Sequence, residues 1–82
     1  PGHLSFVKGK LFKGWRGNAL VSSLGSKIIV RISIEGEKAQ EVERYEMGAR
    51  IRSALEGPNG AIWVLEDELG SSQGRLLRLT PL

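Results

Sequence analysis

Apolar and polar residues alternate along much of this chain. Between Lys27 and Glu35, Ile28, Val30, Ile32 and Ile34 share one face of an extended segment, and Lys27, Arg31, Ser33 and Glu35 share the other. Period two with β-branched residues predicts a strand. Asn18 to Leu24 precedes it with Ala19 and Val21 on one face and Leu20 opposite, and Gly25-Ser26 between the two predicts a hairpin. Gly36 among Glu35, Glu37 and Lys38 marks the next turn. Glu41 to Glu46 mixes acids with Val42, Arg44 and Tyr45, as an exposed edge strand would. Met47 to Ala49 is a break, and Arg50 to Leu55 is a further strand. Gly57-Pro58-Asn59-Gly60 is a strong turn signal, because proline presets φ and Asn or Gly accepts positive φ. Ala61 to Glu66 is apolar nearly throughout, as in a central strand covered on both faces. Leu69 to Gly74 reads as a polar loop, Arg75 to Thr80 as the closing strand, and Leu4 to Val7 as a short leading strand. No segment sustains a helical period, so the expectation is an all-β, antiparallel meander of about seven strands.

An internal echo refines this picture. Gly17-Asn18-Ala19-Leu20-Val21 recurs loosely as Gly60-Ala61-Ile62-Trp63-Val64, and each is followed by a Gly/Ser loop and an arginine-bearing strand, Val30-Arg31-Ile32 and Leu77-Arg78-Leu79. An offset in the forties of residues with about four strands per unit is the period of propeller blades. The reading is a single domain or domain fragment over 1–82, with blade repeats at 14–56 and 57–82 and 1–13 leading in. A small closed β-barrel is the alternative.

Composition narrows the classes. Eighty-two residues make one small domain with a thin stability margin. The absence of cysteine excludes a disulfide scaffold and a cysteine-ligated zinc site. Apolar runs are too short for a membrane-spanning helix. The chain opens at Pro1 with neither Met nor a leader, which reads as a processed chain or a piece of a longer one. Net charge is +3, but it is unevenly placed: the stretch to Ile34 carries +6 and no acid, in Lys8, Lys10, Lys13, Arg16, Lys27 and Arg31, and the remainder carries −3. A basic front half attracts anions. Its scattered bases, with only Phe6, Phe12 and Trp15 among them, weigh against nucleic acid.

Other chemistry is sparse. His3 has no acid near it in sequence and reads as an exposed or packing histidine. Ser22, Ser23 and Ser26 lack the Gly-x-Ser-x-Gly elbow of a serine hydrolase. Glu66-Asp67-Glu68 offers oxygen ligands, but without calcium-loop spacing, and reads as a solvated turn. Trp15 and Trp63 read as core aromatics. Arg50 and Arg52, two apart on a strand, share a face and suit a planar, multiply anionic ligand; alternatively they are solvated, or pair with Glu43, Glu46 or Glu56.

One resemblance draws these features together. Gly14-Trp15-Arg16-Gly17-Asn18-Ala19-Leu20-Val21-Ser22-Ser23-Leu24, Ile29-Val30-Arg31-Ile32, Gly48-Ala49-Arg50-Ile51-Arg52, Gly57-Pro58-Asn59-Gly60-Ala61-Ile62-Trp63-Val64-Leu65 and Gly74-Arg75-Leu76-Leu77-Arg78-Leu79 follow one another in order. This succession is similar to the late, C-terminal blades of the soluble pyrroloquinoline quinone (PQQ)-dependent sugar dehydrogenases, the glucose/sorbosone dehydrogenase family. The Gly-Pro-Asn-Gly turn is common to many propellers; its combination with Arg50-x-Arg52 is more specific. The resemblance implies about two blades of a six-bladed β-propeller, oxidation at the sugar C1, and PQQ contacted by Arg50 and Arg52. The family also places a lysine near the cofactor; here Gly25 stands at that position and the nearest base is Lys27. An aspartate usually follows the second arginine, where this chain has Ser53. The family's catalytic histidine and calcium-binding segments lie in earlier blades, and His3 does not match that histidine. The resemblance points to a periplasmic or secreted protein.

A two-blade piece would leave apolar faces and strand edges unpaired. It would be completed by the remainder of a longer propeller or by self-association, with three copies closing a homotrimeric ring. Two classes of function follow: an oxidoreductase relative whose arginines hold a quinone but whose catalytic base and calcium site are not in this chain, so that catalysis by it alone is uncertain; or a non-catalytic homo-oligomeric β module binding an anionic ligand or partner. A basic nucleic-acid-binding small barrel is the weaker third.

Overall fold

Strands form where alternation is strongest. The computed structural model describes residues 2–67 and 74–81. It contains β1 (His3–Phe6), β2 (Ala19–Ser22), β3 (Ile28–Glu35), β4 (Lys38–Glu46), β5 (Ile51–Glu56), β6 (Ile62–Glu66) and β7 (Leu76–Leu79), and no helix among the described residues. β4 begins three residues earlier than its acidic alternation implies. Gly36, at φ 62°, lets a two-residue turn close directly onto the Glu35–Lys38 pair.

All neighbouring strands are antiparallel, in two separate sheets ordered β1-β2-β3-β4 and β5-β6-β7. The ladder breaks at residues 47–50, which carry the chain from the outer edge of the first sheet to β5. β5 then stacks on β1 and β2 instead of pairing with β4. Two stacked sheets joined this way are propeller blades, and the closed-barrel alternative is not formed.

Directly paired residues lie on one face of an antiparallel ladder. In the first sheet, the rungs Ser5–Leu20–Arg31 and His3–Ser22–Ile29–Tyr45 form one face, which looks toward the second sheet. Leu4–Val21–Val30 and Phe6–Ala19–Ile32 form its back. In the second sheet, Ala54–Val64–Leu77 and Ile62–Leu79 pack onto the first sheet, and Leu55–Trp63–Arg78 and Leu65–Leu76 form its outward front. The core between them is Val7, Leu20, Ile29, Ile51, Ala54, Ile62 and Val64. Each large aliphatic buried there contributes about 1.5–3 kcal/mol.

This arrangement corrects two expectations. β6 is central but covered on one face only: Ile62 and Val64 are buried, whereas Trp63 is 37% exposed. Trp63 is therefore not a core aromatic in this chain. The second correction concerns the repeat. The first sheet starts at β1 and the second at β5, so a division into 14–56 and 57–82 is offset by one strand. The echo itself falls on equivalent strands: Leu20 pairs Arg31 as Trp63 pairs Arg78. Gly17 (φ 85°) and Gly60 (φ 88°) hold the same left-handed conformation two residues ahead of β2 and β6.

The sheets are stitched by polar contacts as well. The Ser5 hydroxyl donates to the Ala54 carbonyl at 2.6 Å, and the Glu56 carboxylate accepts the Lys8 and Gly9 amides at 2.8 and 2.9 Å. Arg31 is half-buried against the connection between β1 and β2. It donates to Asn18 Oδ1 at 2.7 Å and to the Tyr45 hydroxyl at 3.2 Å, and lies 4.7 Å from the centre of the Trp15 ring. Trp15 in turn stacks on Phe12 at 4.5 Å. Because the first sheet has four strands and the second three among the described residues, an apolar groove of about 510 Å³ opens between Trp15, Ile29, Tyr45 and Met47 on one side and Ile62 and Leu79 on the other.

Candidate functional site

Alternate ends of the strands gather different chemistry. The β2–β3 turn, residues 47–50 and the residue after β6 lie at one end. Backbone bonds tie them together: Met47 N–H to the Lys27 carbonyl (2.9 Å), Ile51 N–H to the Ser23 carbonyl (3.2 Å) and Asp67 N–H to the Arg50 carbonyl (2.8 Å). The residues singled out as cofactor contacts, Arg50, Arg52 and Lys27, all belong to this end.

Arg50 and Arg52 do converge, and the group they meet is Asp67. Arg50 Nε lies 3.3 Å from Oδ2, and Arg52 Nη2 lies 2.9 Å from Oδ1. The geometry depends on a β-bulge: the β5–β6 register shifts between Ile51 and Ser53, which places Arg52 at the irregularity. The Asp67 side chain is 4% exposed, Arg50 31% and Arg52 60%. The hydrogen bond from Arg52, and more weakly that from Arg50, holds the Asp67 carboxyl below its ordinary range against the opposing effect of desolvation. Beside the pair is a polar cavity of about 200 Å³ lined by Arg52, Leu65, Glu66, Asp67 and Gly74. Two guanidinium forks on one carboxylate leave a net positive charge, and Arg52 of the pair lines that space.

Other expectations are revised here. Neither arginine pairs with Glu43, Glu46 or Glu56; Glu43 accepts from Arg31 and Tyr45, and Glu56 clamps the Lys8–Gly9 backbone. Glu66 and Asp67 are not a solvated turn. Both are buried, and Glu66 takes a two-pronged contact from Arg75 at 3.0 and 2.9 Å. Glu68 lies outside the described residues. Lys27 is exposed and holds φ 58°, and its backbone carbonyl anchors Met47. His3 is half-buried on β1, opposite Ser22, and its Nδ1 is buried without a hydrogen-bond partner. The basic residues of the front half do not make one surface. Lys8, Lys10, Lys13 and Arg16 are exposed along the β1–β2 connection, Lys27 sits at the opposite end, and Arg31 is half-buried.

Two stacked antiparallel blades, with an arginine pair and a buried aspartate at one end, define a propeller segment. Comparison with known proteins gives the family. A family model described as Glucose / Sorbosone dehydrogenase matches residues 1–78, and the chain belongs to that family. It is 32% identical over 80 residues to the aldose sugar dehydrogenase YliI of Escherichia coli strain K12, which covers 95% of this chain and 21% of that protein. A crystal structure of a glucose dehydrogenase superposes with a TM-score of 0.82 at 32% identity over 96% of this chain and 22% of the other. The apo-form of the soluble aldose sugar dehydrogenase from Escherichia coli matches with a TM-score of 0.72 at 31% identity over 79% of this chain and 19% of the other. The chain thus spans about a fifth of the length of these relatives.

Proposed function

We propose that this chain supplies one wall of the quinone site of a PQQ-dependent sugar dehydrogenase, with Arg50 and Arg52 as the cofactor-holding residues. The observation that carries this reading is the convergence of both guanidiniums beside a polar cavity, with Arg52 60% exposed toward solvent. PQQ is a planar tricarboxylate, and charge-assisted bonds from planar guanidinium forks suit its carboxylates. The donors present fit it: Asp67 fixes where the two forks sit without neutralising both. Lys27 adds a cation at the same end of the blades. When bound, PQQ would supply the two-electron acceptor for oxidation at a sugar C1. The residues here bind and orient it, and the catalytic histidine and calcium ligands would come from other blades of such an enzyme. Kinship with soluble aldose and glucose dehydrogenases supports this assignment and a periplasmic-type setting.

Equilibrium dialysis of the chain against PQQ, with and without calcium, tests the reading. The expected result is saturable binding that Arg50→Ala/Arg52→Ala weakens at least tenfold, with citrate a poor competitor. Equal binding by the double variant would remove the arginines from the site. Equal competition by citrate would support the second reading, a general anion-binding rim.

A further inference from the structure

The acids of this chain are used selectively. Arg31, Arg44, Arg50, Arg52 and Arg75 each sit on a carboxylate. Lys8, Lys10, Lys13 and Arg16 do not: all four are exposed, and among the described residues none of them makes an ion pair. They lie on the connection between β1 and β2, which contains no acid between Val7 and Asn18. That connection has a fixed shape. Val7 N–H donates to the Asn18 carbonyl at 2.9 Å, Gly17 N–H to the Val7 carbonyl at 2.7 Å, and Trp15 N–H to the Phe12 carbonyl at 3.1 Å. Glu56 is bonded to the Lys8 and Gly9 amides, and nearby the β3–β4 turn carries Glu35 and Glu37 against Lys38. Phe12 and Trp15 stack on each other and pack against the core, with Arg31 over the Trp15 ring. The connection therefore presents Leu11 outward, 43% exposed, with unpaired cations before and after it in the chain.

We infer that the β1–β2 connection docks the protein reversibly on an anionic lipid bilayer, with Lys8, Lys10, Lys13 and Arg16 on headgroup phosphates and Leu11 entering the boundary between headgroups and acyl chains. Each unpaired cation is attracted to such a surface, and an aliphatic side chain among the cations gains burial there. Other anionic partners fit less well. A nucleic-acid strand needs open aromatic faces on which bases stack. A protein pocket is most often filled by a Trp or Tyr anchor. Both rings of this connection are already packed within the chain. A bilayer needs neither, because its headgroups move laterally to meet each cation. The contact is peripheral, made by one loop and one aliphatic side chain. The connection lies at the end of the strands opposite Arg50 and Arg52, so a docked molecule holds the arginine pair away from the surface. The inference is independent of any ligand at those arginines.

The test is sedimentation of the chain with vesicles of phosphatidylcholine alone and with vesicles of equal parts phosphatidylcholine and phosphatidylglycerol. The expected result is binding to the anionic vesicles only, falling steeply as sodium chloride is raised. Lys10→Ala/Lys13→Ala should weaken that binding about 25-fold, at about fivefold per charge. Arg44→Ala/Arg78→Ala removes the same charge from exposed strand positions and should weaken it far less. Leu11→Ser should weaken it severalfold while keeping the Cβ that lies over Gly60. Leu11→Ala repeats that truncation in case serine disturbs the loop, and an amide NMR fingerprint checks folding of every variant. Equal binding to neutral vesicles, or none to anionic ones, overturns the inference. Equal losses in the two double variants reduce the effect to net charge and overturn it as well. Leu11 variants that bind like the wild type overturn the insertion and assign the cations to an acidic polypeptide. Full competition by inorganic phosphate at constant ionic strength assigns them to free phosphate, which also overturns it.

Discussion

Gly17 and Gly60 occupy equivalent positions ahead of β2 and β6, at nearly the same φ, and differ in what surrounds them. A Cβ at Gly17 meets nothing within 4 Å, whereas at Gly60 it would stand 2.6 Å from Leu11 Cβ. Alanine at either site incurs the left-handed conformational penalty, roughly 1–2 kcal/mol. At Gly60 it must also displace Leu11 at its Cβ, the part of that side chain fixed to the backbone, at an overpacking cost of about 1–3 kcal/mol. Gly17→Ala should therefore cost about 1–2 kcal/mol and Gly60→Ala about 2–5 kcal/mol. For a domain of this size, each kcal/mol moves Tm by about 4–8 °C, so Gly60→Ala should melt at least roughly 5 °C below Gly17→Ala. Thermal unfolding followed by Trp fluorescence at fixed chain concentration measures the difference. Equal Tm values for the two variants would refute the reasoning, because they would show that the loop carrying Leu11 yields freely and the close approach carries no energy.

Two further outcomes follow from the polar contacts. Asp67 is held below the ordinary carboxylate range in the folded state, mainly by Arg52, so it adds stability above the unfolded value near about 3.9. That stability is lost as pH falls through the lower folded value; Asp67→Asn should reduce stability at neutral pH and flatten the acid limb of a Tm-against-pH curve below about pH 4, while an unchanged acid limb would assign the acid loss to other carboxylates. Arg31 lies over Trp15, so a double-mutant cycle with Arg31→Met and Trp15→Leu should show coupling of about 1 kcal/mol by chemical denaturation, and additive effects would dismiss the cation–π contact.

The strands were legible because alternation, β-branched residues and glycine turns act locally, and each observed strand overlaps the segment that its pattern marks. Which face is buried was less accessible. The Ile28–Ile34 stripe is the most regular in the chain, yet its Val30 and Ile32 lie on the back of the first sheet, away from the second. Arg31, on the polar side of that stripe, is half-buried against Trp15, Asn18 and Tyr45. A propeller blade is sandwiched on both faces, so period two names two faces without saying which neighbour covers each.

The site shows the same limit at single-residue scale. The arginine pair was visible from its spacing, but its partner was not. Counting back from the Gly-Pro-Asn-Gly turn along an unbroken ladder, in the register of Glu56–Ile62 and Ser53–Leu65, would set Arg52 against Glu66. The bulge at Arg52 shifts the pairing by one residue, to Ile51–Glu66, and that step frees Glu66 for Arg75 and brings Asp67 under both Arg50 and Arg52. A bulge leaves no composition signal, because it depends on how two strands fit and on no single residue in either. It also re-aims a side chain, which here leaves Arg52 bonded to Asp67 through one nitrogen while it lines the cavity and stays largely exposed. The irregularity that hid the partner from the sequence is therefore the feature that leaves the Arg52 guanidinium exposed beside the cavity.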